Sequence, residues 1–346
     1  MKSNIINCLN EVIVICFYGR SGSVFLQSLF DGHPNIVSFP GTFLMCYQIW
    51  WRNLKNKNSR YCSEKFIDNF RVIFDPKNND IDLPGCGKYA GTGLNFHKAG
   101  DNKDEEIRID KKKFQNELNN LIKSDQNETS ASFFKKVHLA LAKTLNLEIN
   151  SKLKILFHLH TPLKKRCEFL EEGGFKCYFL HMIREPVQSA FSLHKHNLSL
   201  GNNFGLKGIL KTMNSYKPIS NYKNSRAIKL EDLHLLPKKT LQKVIKFVDI
   251  DWSDKLLEST FLGKKWYNLS GTNQLSGFNK VIINKKFDDL LSDFDKSRLQ
   301  YLFKNVYDKW EYKINRNHFL TDYLLKFNVE RNFSYRDFIK IRFQIL

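Results

Sequence analysis

The sequence predicts an α/β fold in which helices flank a parallel β-sheet. Short apolar runs, each ended by polar or turn residues, alternate with segments of helical periodicity. The runs are apolar along their whole length, which is typical of strands buried on both faces of a parallel sheet. The repeated strand–helix order indicates a layered α/β domain. At 346 residues with 42% hydrophobic residues, the chain is long enough to bury a substantial core.

Four strands and three helices make up the predicted sheet region. The apolar, β-branched runs predict strands at 12–18, 153–159, 176–183 and 226–230. Helical periodicity follows at 23–30, 186–196 and 238–248. The first helix ends at the stop sequence Asp31-Gly32-His33-Pro34, and the second begins at a proline.

The pattern changes between residues 41 and 150, where we predict a helical insertion or cap. This part contains an aromatic-rich helix at 43–51 and an amphipathic helix at 132–145, separated by Gly- and Pro-containing loops and a charged stretch. A further helix is predicted at 295–310. We therefore expect a single domain over 1–346, with a core at 11–40 and 151–312 and a basic tail at 313–346.

Charge and cysteine content limit the functional classes only coarsely. Lys and Arg number 55 against 35 Asp and Glu, a net charge of +20, which implies an anionic partner without identifying it. The seven cysteines have no C-x-x-C or zinc-like spacing, which favours a reduced, cytoplasmic chain. The apolar run at 12–18 is too short for a secretion signal or a membrane span, so no transmembrane segment is expected. The oligomeric state is left open.

The loop between the first strand and helix has the design of a phosphate-binding loop, and taken alone it could equally be a plain strand-to-helix turn. It reads Gly19-Arg20-Ser21-Gly22-Ser23. Its glycines allow backbone N–H groups to approach an anion, the helix N-terminus adds partial positive charge, and the serine hydroxyls donate hydrogen bonds. A Walker loop would need glycine where Val14 stands and a lysine after the second glycine, so ATP hydrolysis is disfavoured.

A second candidate anion site follows the third predicted strand. Arg184 stands at the carboxyl end of this strand, Pro186 opens the next helix, and Ser189 and Ser192 lie one to two turns further on. An arginine fork and a serine hydroxyl in this arrangement can converge on one phosphate. Taken alone, Arg184 could equally pair with Glu185 at the surface.

Together these segments resemble the PAPS-dependent sulfotransferases (PAPS is 3'-phosphoadenosine 5'-phosphosulfate). Residues 17–26, continuing to the His33-Pro34 pair, resemble the family's 5'-phosphosulfate loop, and residues 183–192 resemble its 3'-phosphate motif, with the same eight-residue step from Arg184 to Ser192. The resemblance implies a P-loop NTPase-like sulfotransferase fold, PAPS as co-substrate, PAP (its desulfated form) as product, and no metal.

The resemblance also assigns roles to single residues. It implies that Arg20 binds the 5'-phosphosulfate and stabilises the oxygen on which negative charge develops during transfer. It also implies that Arg184 and Ser192 bind the 3'-phosphate. The other cofactor-binding positions that it implies are the loop residues Ser21, Gly22 and Ser23, then Val24 and the adenine-side aromatic Phe25. Val24 stands where a second hydroxyl is common, so one phosphate hydrogen bond is missing.

Transfer to a hydroxyl also needs a general base. His160 follows the strand at 153–159, and residues 156–162 resemble the family's strand ending in T-H-x-P, which implies that His160 is the base. His158 lies on the same strand face if the segment stays extended, and His138 stands on the inserted helix. Both are alternative bases.

The acceptor is expected to be a hydroxyl, or an amine, of a carbohydrate or small metabolite. Two alternatives remain. One is a catalytically degenerate PAPS- or glycan-binding protein, and the other is a nucleotide kinase, although this sequence lacks the Walker lysine that a kinase would need. No nucleic-acid-reading module is recognised, so nucleic acid is not an expected partner. Residues 227–233 resemble the family's E-D-L stretch. Residues 261–266 and 271–278 resemble its late cofactor loop, although the standard R-K-G-x-x-G form is absent.

Overall fold

A computed structural model describes residues 9–17, 20–77, 82–83, 87–88, 96–122, 127–159, 164–199, 224–270, 273–283, 300 and 304–314. Its main sheet has five parallel strands in the order β2-β5-β1-β6-β7, where the ranges are β1 Glu11–Phe17, β2 Ile36–Val37, β5 Lys154–Leu159, β6 Lys176–Ile183 and β7 Ser225–Lys229. Three two-stranded antiparallel hairpins accompany it: β3 Asp82–Leu83 with β4 Gly87–Lys88, β8 Thr260–Phe261 with β9 Lys264–Lys265, and β10 Asn268–Ser270 with β11 Asn273–Leu275.

Helices flank the main sheet, and their bounds are α1 Ser23–Phe30, α2 Tyr47–Asn53, α3 Ser59–Asn69, α4 Lys111–Leu121, α5 Ser130–Thr144, α6 Lys164–Glu172, α7 Pro186–Ser199, α8 Leu230–Leu235, α9 Pro237–Val248 and α10 Lys304–Trp310. Short 3-10 turns occur at Phe43–Cys46, Arg71–Ile73, Asp254–Leu257 and Lys280–Ile282. The predicted α/β class, with a parallel sheet between helices, is confirmed.

The central strand explains why the sequence folds this way. Residues 12–16 of β1 are fully buried, because the strand has neighbours on both edges and helices over its faces. Its register pairs Val12 with Ile155 of β5 and with Cys177 of β6. Burial of such β-branched side chains contributes roughly 1.5–3 kcal/mol each.

The inserted region packs into the same core as the sheet. Phe134 of α5 lies edge-on to Phe157 of β5 with ring centroids 5.1 Å apart, and Phe39 contacts Phe66 of α3 at 5.9 Å. Inside the insertion, the buried carboxylate of Glu128 pairs with Lys136. These contacts fix the insertion against the sheet. The predicted division into core, insertion and tail stays a prediction.

Several predicted bounds need correction. The helix predicted at 43–51 begins as the 3-10 turn Phe43–Cys46 and becomes α-helical only in α2. The helix predicted at 295–310 is seen as α10, whereas most of its first half lies outside the described residues. Within the described ranges, none of the helices combines the length and apolarity needed to cross a membrane.

Cysteine chemistry departs from the expectation of a fully reduced chain. Cys46 is disulfide-bonded. The free thiols among the described residues belong to Cys16, Cys62, Cys167 and Cys177. Burial raises the pKa of Cys62 to about 11 and that of Cys177 to about 12, so these two thiols stay protonated at neutral pH.

Candidate active site

The candidate site lies where the carboxyl ends of adjacent parallel strands meet. From β1 the chain crosses to the β2 edge of the sheet, whereas from β5 it crosses over β1 to β6. Ligands of open α/β sheets bind at such a reversal of strand order. Because Phe17 of β1 is in register with Met182 of β6, the loop containing Arg20 and the residue Arg184 emerge side by side.

The loop after β1 has a backbone that favours glycine. Gly22 has φ +83°, and Arg20 also lies in the left-handed region at φ 53°. A Cβ on Gly22 would come within 2.4 Å of the Leu230 Cδ1 atom. Leu230 opens α8 directly after β7, so Gly22 lets the loop lie against the end of a second strand.

The N-terminus of α1 faces this loop and can receive an anion. Gly22 is the N-cap residue, and as a glycine it has no side chain to cap the first turn. The first-turn N–H groups of a helix have no partner inside the helix, and they attract negative charge. Ser21 and Ser23 are both buried here, whereas the Arg20 side chain is exposed to solvent.

Arg184 is a buried cation close to Arg20. It is only 6% exposed, and its Nη2 atom donates a hydrogen bond of 3.1 Å to the carbonyl of Ile282. Burial lowers the pKa of Arg184, and the positive charge of Arg20 acts in the same direction. The carboxylates of Glu231 and Glu185 oppose both effects. The two guanidinium groups are therefore close enough for their charges to interact, and the two carboxylates offset part of that positive charge.

Two carboxylates beside Arg184 are held by tyrosines from the end of the described chain. Glu231 accepts hydrogen bonds from the backbone N–H of Glu185 at 2.9 Å and from the hydroxyl of Tyr312 at 2.8 Å. Glu185 accepts from the hydroxyl of Tyr307 on α10 and from the N–H of Gln188 at 2.7 Å. The surface pairing of Arg184 with Glu185 that the sequence left open is replaced by this partly buried network.

The three candidate bases are placed very differently. His160 lies outside the described residues. His158 is 3% exposed, and its Nδ1 atom donates to Gln27 Oε1 at 3.0 Å, since the Gln27 amide nitrogen is itself donating to Ser38 and Phe39. This bond leaves the lone pair of the neutral ring on Nε2, an atom that is itself buried.

His138 lies in the core of the insertion. Its ring is fully buried, packs against Phe39 and Phe134, and is hydrogen-bonded at Nδ1 to the Phe134 carbonyl at 2.8 Å. Burial lowers its pKa to about 4. Since this ring has no exposed surface, the structure argues against His138 as a base that contacts an acceptor.

The remaining predicted binding residues differ in accessibility. Phe25 is 4% exposed, and one face of its ring is stacked on His234 with centroids 4.6 Å apart. An adenine could therefore reach only its other face or its edge. Val24 and Ser192 are half-buried. Convergence of Ser192 with Arg184 on a phosphate stays a prediction.

The basic hairpin formed by β8 and β9 supports the insertion. Lys264 pairs with Glu105 at 3.1 Å, and Lys265 pairs with Asp101 at 3.0 Å. Trp266 is 2% exposed. These partners join the hairpin to the insertion, which argues against a direct role in binding the nucleotide. No cluster of three or more potential metal ligands occurs in the described part of the chain, and the expected metal independence stays a prediction.

Sequence reasoning missed Gln27, His234 and the tyrosines that hold the carboxylates. Their roles depend on contacts between distant segments, for example 131 positions between Gln27 and His158. The one available signal was the E-D-L stretch, which contains Glu231 and precedes His234. Glu231 contributes to the charge around Arg184, so this stretch is more than a helix start.

Comparison with solved structures identifies the fold. The sulfotransferase domain from the curacin biosynthetic pathway matches with a TM-score of 0.52 and 13% identity, over 88% of this chain and 99% of that chain. Sulfotransferase STF9 from Mycobacterium avium matches with a TM-score of 0.39 and 11% identity, over 91% of this chain and 81% of that chain. No protein-family model and no curated protein matches the sequence. The curacin domain alone supports the assignment: this chain has a sulfotransferase fold.

Proposed function

We propose that this chain, with its sulfotransferase fold, transfers the sulfuryl group of PAPS to a hydroxyl, or an amine, of a carbohydrate or small metabolite. The observation that supports this best is the position of Arg20 and Arg184, which follow the adjacent strands β1 and β6 and are close enough for their charges to interact. PAPS carries two separate anionic groups, a 5'-phosphosulfate and a 3'-phosphate. The two arginine motifs match that pair, whereas a nucleotide without a 3'-phosphate would use only one of them.

Each proposed role follows from position and chemistry. When bound, PAPS supplies a sulfuryl group attached to a phosphate leaving group. Arg20 and the N–H groups of the loop at Gly22 stabilise the negative charge on that phosphate. Arg184 and Ser192 hold the 3'-phosphate and thereby orient the donor. His160 takes the proton of the acceptor, with His158 as the alternative base.

The insertion and the tail are proposed to select the acceptor. The net charge of +20 suits an acidic acceptor as well as the anionic donor, so charge does not decide between them. A cytoplasmic location remains a prediction, and the disulfide at Cys46 counts against it, since disulfides are rare in reducing compartments.

The test is transfer of radiolabelled sulfate from PAPS to a pooled extract of metabolites and oligosaccharides. We expect labelled product with the wild-type chain and none with Arg20→Ala or His160→Ala. Arg60→Ala is the matched control, because Arg60 is an exposed arginine whose ion pair, among the residues that the structure describes, is with its helical neighbour Glu64. An active His160→Ala variant would transfer the base role to His158. A wild-type chain that binds PAPS but labels nothing would favour the degenerate binding protein.

A further inference from the structure

One short segment contacts residues that follow three neighbouring strands of the sheet, β1, β6 and β7. Phe278 lies edge-on to Phe25 with ring centroids 5.4 Å apart. The backbone N–H of Asn279 donates to Nδ1 of His234 at 3.1 Å. The carbonyl of Ile282 accepts from Arg184. Residues 278–283 therefore lie against the aromatic residue of the first motif and the arginine of the second.

His234 is the residue that joins these contacts. It is 4% exposed, and its ring lies parallel to that of Phe25, with an interplanar angle of 3°. Because Nδ1 accepts from the Asn279 N–H, the proton of the neutral ring is on Nε2. Burial, reinforced by the positive charge of Arg184, lowers the pKa of His234 to about 4. The ring is thus neutral near pH 7, as its acceptor role requires.

We infer that His234 is a positioning residue of the nucleotide site, which fixes residues 278–283 beside Phe25 and Arg184. This inference rests on the proposed function. The backbone N–H of Asn279 has its acceptor in His234, and Ile282, three residues later, contacts the Arg184 guanidinium. If residues 278–283 shift, the Arg184 guanidinium loses the hydrogen bond to the Ile282 carbonyl that orients it. The 3'-phosphate of the nucleotide would then be held less well.

Two substitutions separate the acceptor from the stacked ring. His234→Phe keeps an aromatic ring against Phe25 but has no acceptor for the Asn279 N–H. His234→Asn loses the ring but carries an oxygen close to the position of Nδ1. We expect His234→Phe to weaken PAP binding about tenfold, because without the acceptor the binding-competent position of residues 278–283 is less populated by that factor, and His234→Asn to restore most of the affinity.

The readout is calorimetric titration with PAP and with AMP, and thermal melting checks that each variant is folded. A positioning role predicts that His234→Phe narrows the preference for PAP over AMP. Unfolding would lower the number of binding sites and leave that preference unchanged. If the wild-type chain binds PAP and His234→Phe keeps the full preference, the role of His234 is refuted. If the wild-type chain does not bind PAP, the proposed function itself fails.

Discussion

Substitution of Gly22 by alanine tests the geometry of the first loop most severely. Gly22 has φ +83°, a conformation that costs an L-residue about 1–2 kcal/mol. The new Cβ would also lie 2.4 Å from Leu230 Cδ1, well inside van der Waals contact. Leu230 is itself 3% exposed, so its side chain has little room to move away. Overpacking of this kind costs about 1–3 kcal/mol.

The two costs can be separated with a matched glycine. Gly174 has φ +69°, but an added Cβ there meets nothing within 4 Å. Gly174→Ala therefore carries the conformational cost alone, roughly 1–2 kcal/mol. Gly22→Ala carries both the conformational and the packing cost. Alanine also lowers the entropy of the unfolded chain, which offsets part of these costs, so we expect a loss of about 2–4 kcal/mol in the free energy of unfolding.

Urea unfolding followed by tryptophan fluorescence measures both variants. A double-mutant cycle with Leu230→Ala adds a second check, because removing the leucine side chain should reduce the cost of Gly22→Ala to that of Gly174→Ala. Equal destabilisation by Gly22→Ala and Gly174→Ala, or strict additivity with Leu230→Ala, would refute the close approach of the loop to α8.

Three further predictions concern the core and the cysteines. Because the pKa of His138 is lowered in the folded chain, the unfolded chain takes up this proton at a higher pH, so the stability that neutral His138 contributes is fully present above pH 6.5 and is lost towards pH 4. His138→Leu should therefore reduce the slope of the free energy of unfolding against pH, measured with urea, by about 1.4 kcal/mol per pH unit over this range. An unchanged slope would contradict the burial of His138. Lys136→Met leaves the buried carboxylate of Glu128 without its counter-ion and should lower the free energy of unfolding by about 3–5 kcal/mol, measured by thermal melting. Substitution of the exposed Lys112 by methionine is the control and should lower it by almost nothing. Similar losses for the two variants would be inconsistent with a buried ion pair. The disulfide at Cys46 predicts that a thiol titration of the denatured chain detects fewer than its seven cysteines before reduction and all seven afterwards. Detection of seven thiols before reduction would rule out the disulfide.

The elements predicted best are those with an uninterrupted local pattern. The bounds of α1 and β6 agree with the sequence prediction, because a stop sequence ends the first and a continuous apolar run defines the second. The strand β2 was missed because it is only two residues long and exists through its pairing with β5. The helix α4 was missed because only Phe114 and Leu118 of its residues are buried, which leaves a mostly polar and charged sequence.

The candidate site was predictable only as far as its motifs are local. Arg20 and Arg184 stand out because each follows a strand and precedes a helix in a spacing suited to phosphate. The network that holds Arg184 joins Tyr312 to Glu231 across 81 positions, and no sequence period encodes such a pair. For the same reason, the stacking of His234 on Phe25 emerges only when the strands β1, β6 and β7 are side by side.

Calorimetric titration of the wild-type chain with PAP, AMP and ATP tests the central claim most directly. We predict one PAP site per chain, with PAP bound more tightly than either nucleotide that lacks a 3'-phosphate. Arg184→Ala should remove about 1.5–3 kcal/mol of PAP binding, equivalent to roughly 10- to 150-fold, and leave AMP almost unaffected, while Arg60→Ala changes neither. Equal binding of PAP and AMP, or no binding of PAP, would contradict the assignment of the two arginine motifs to one PAPS site.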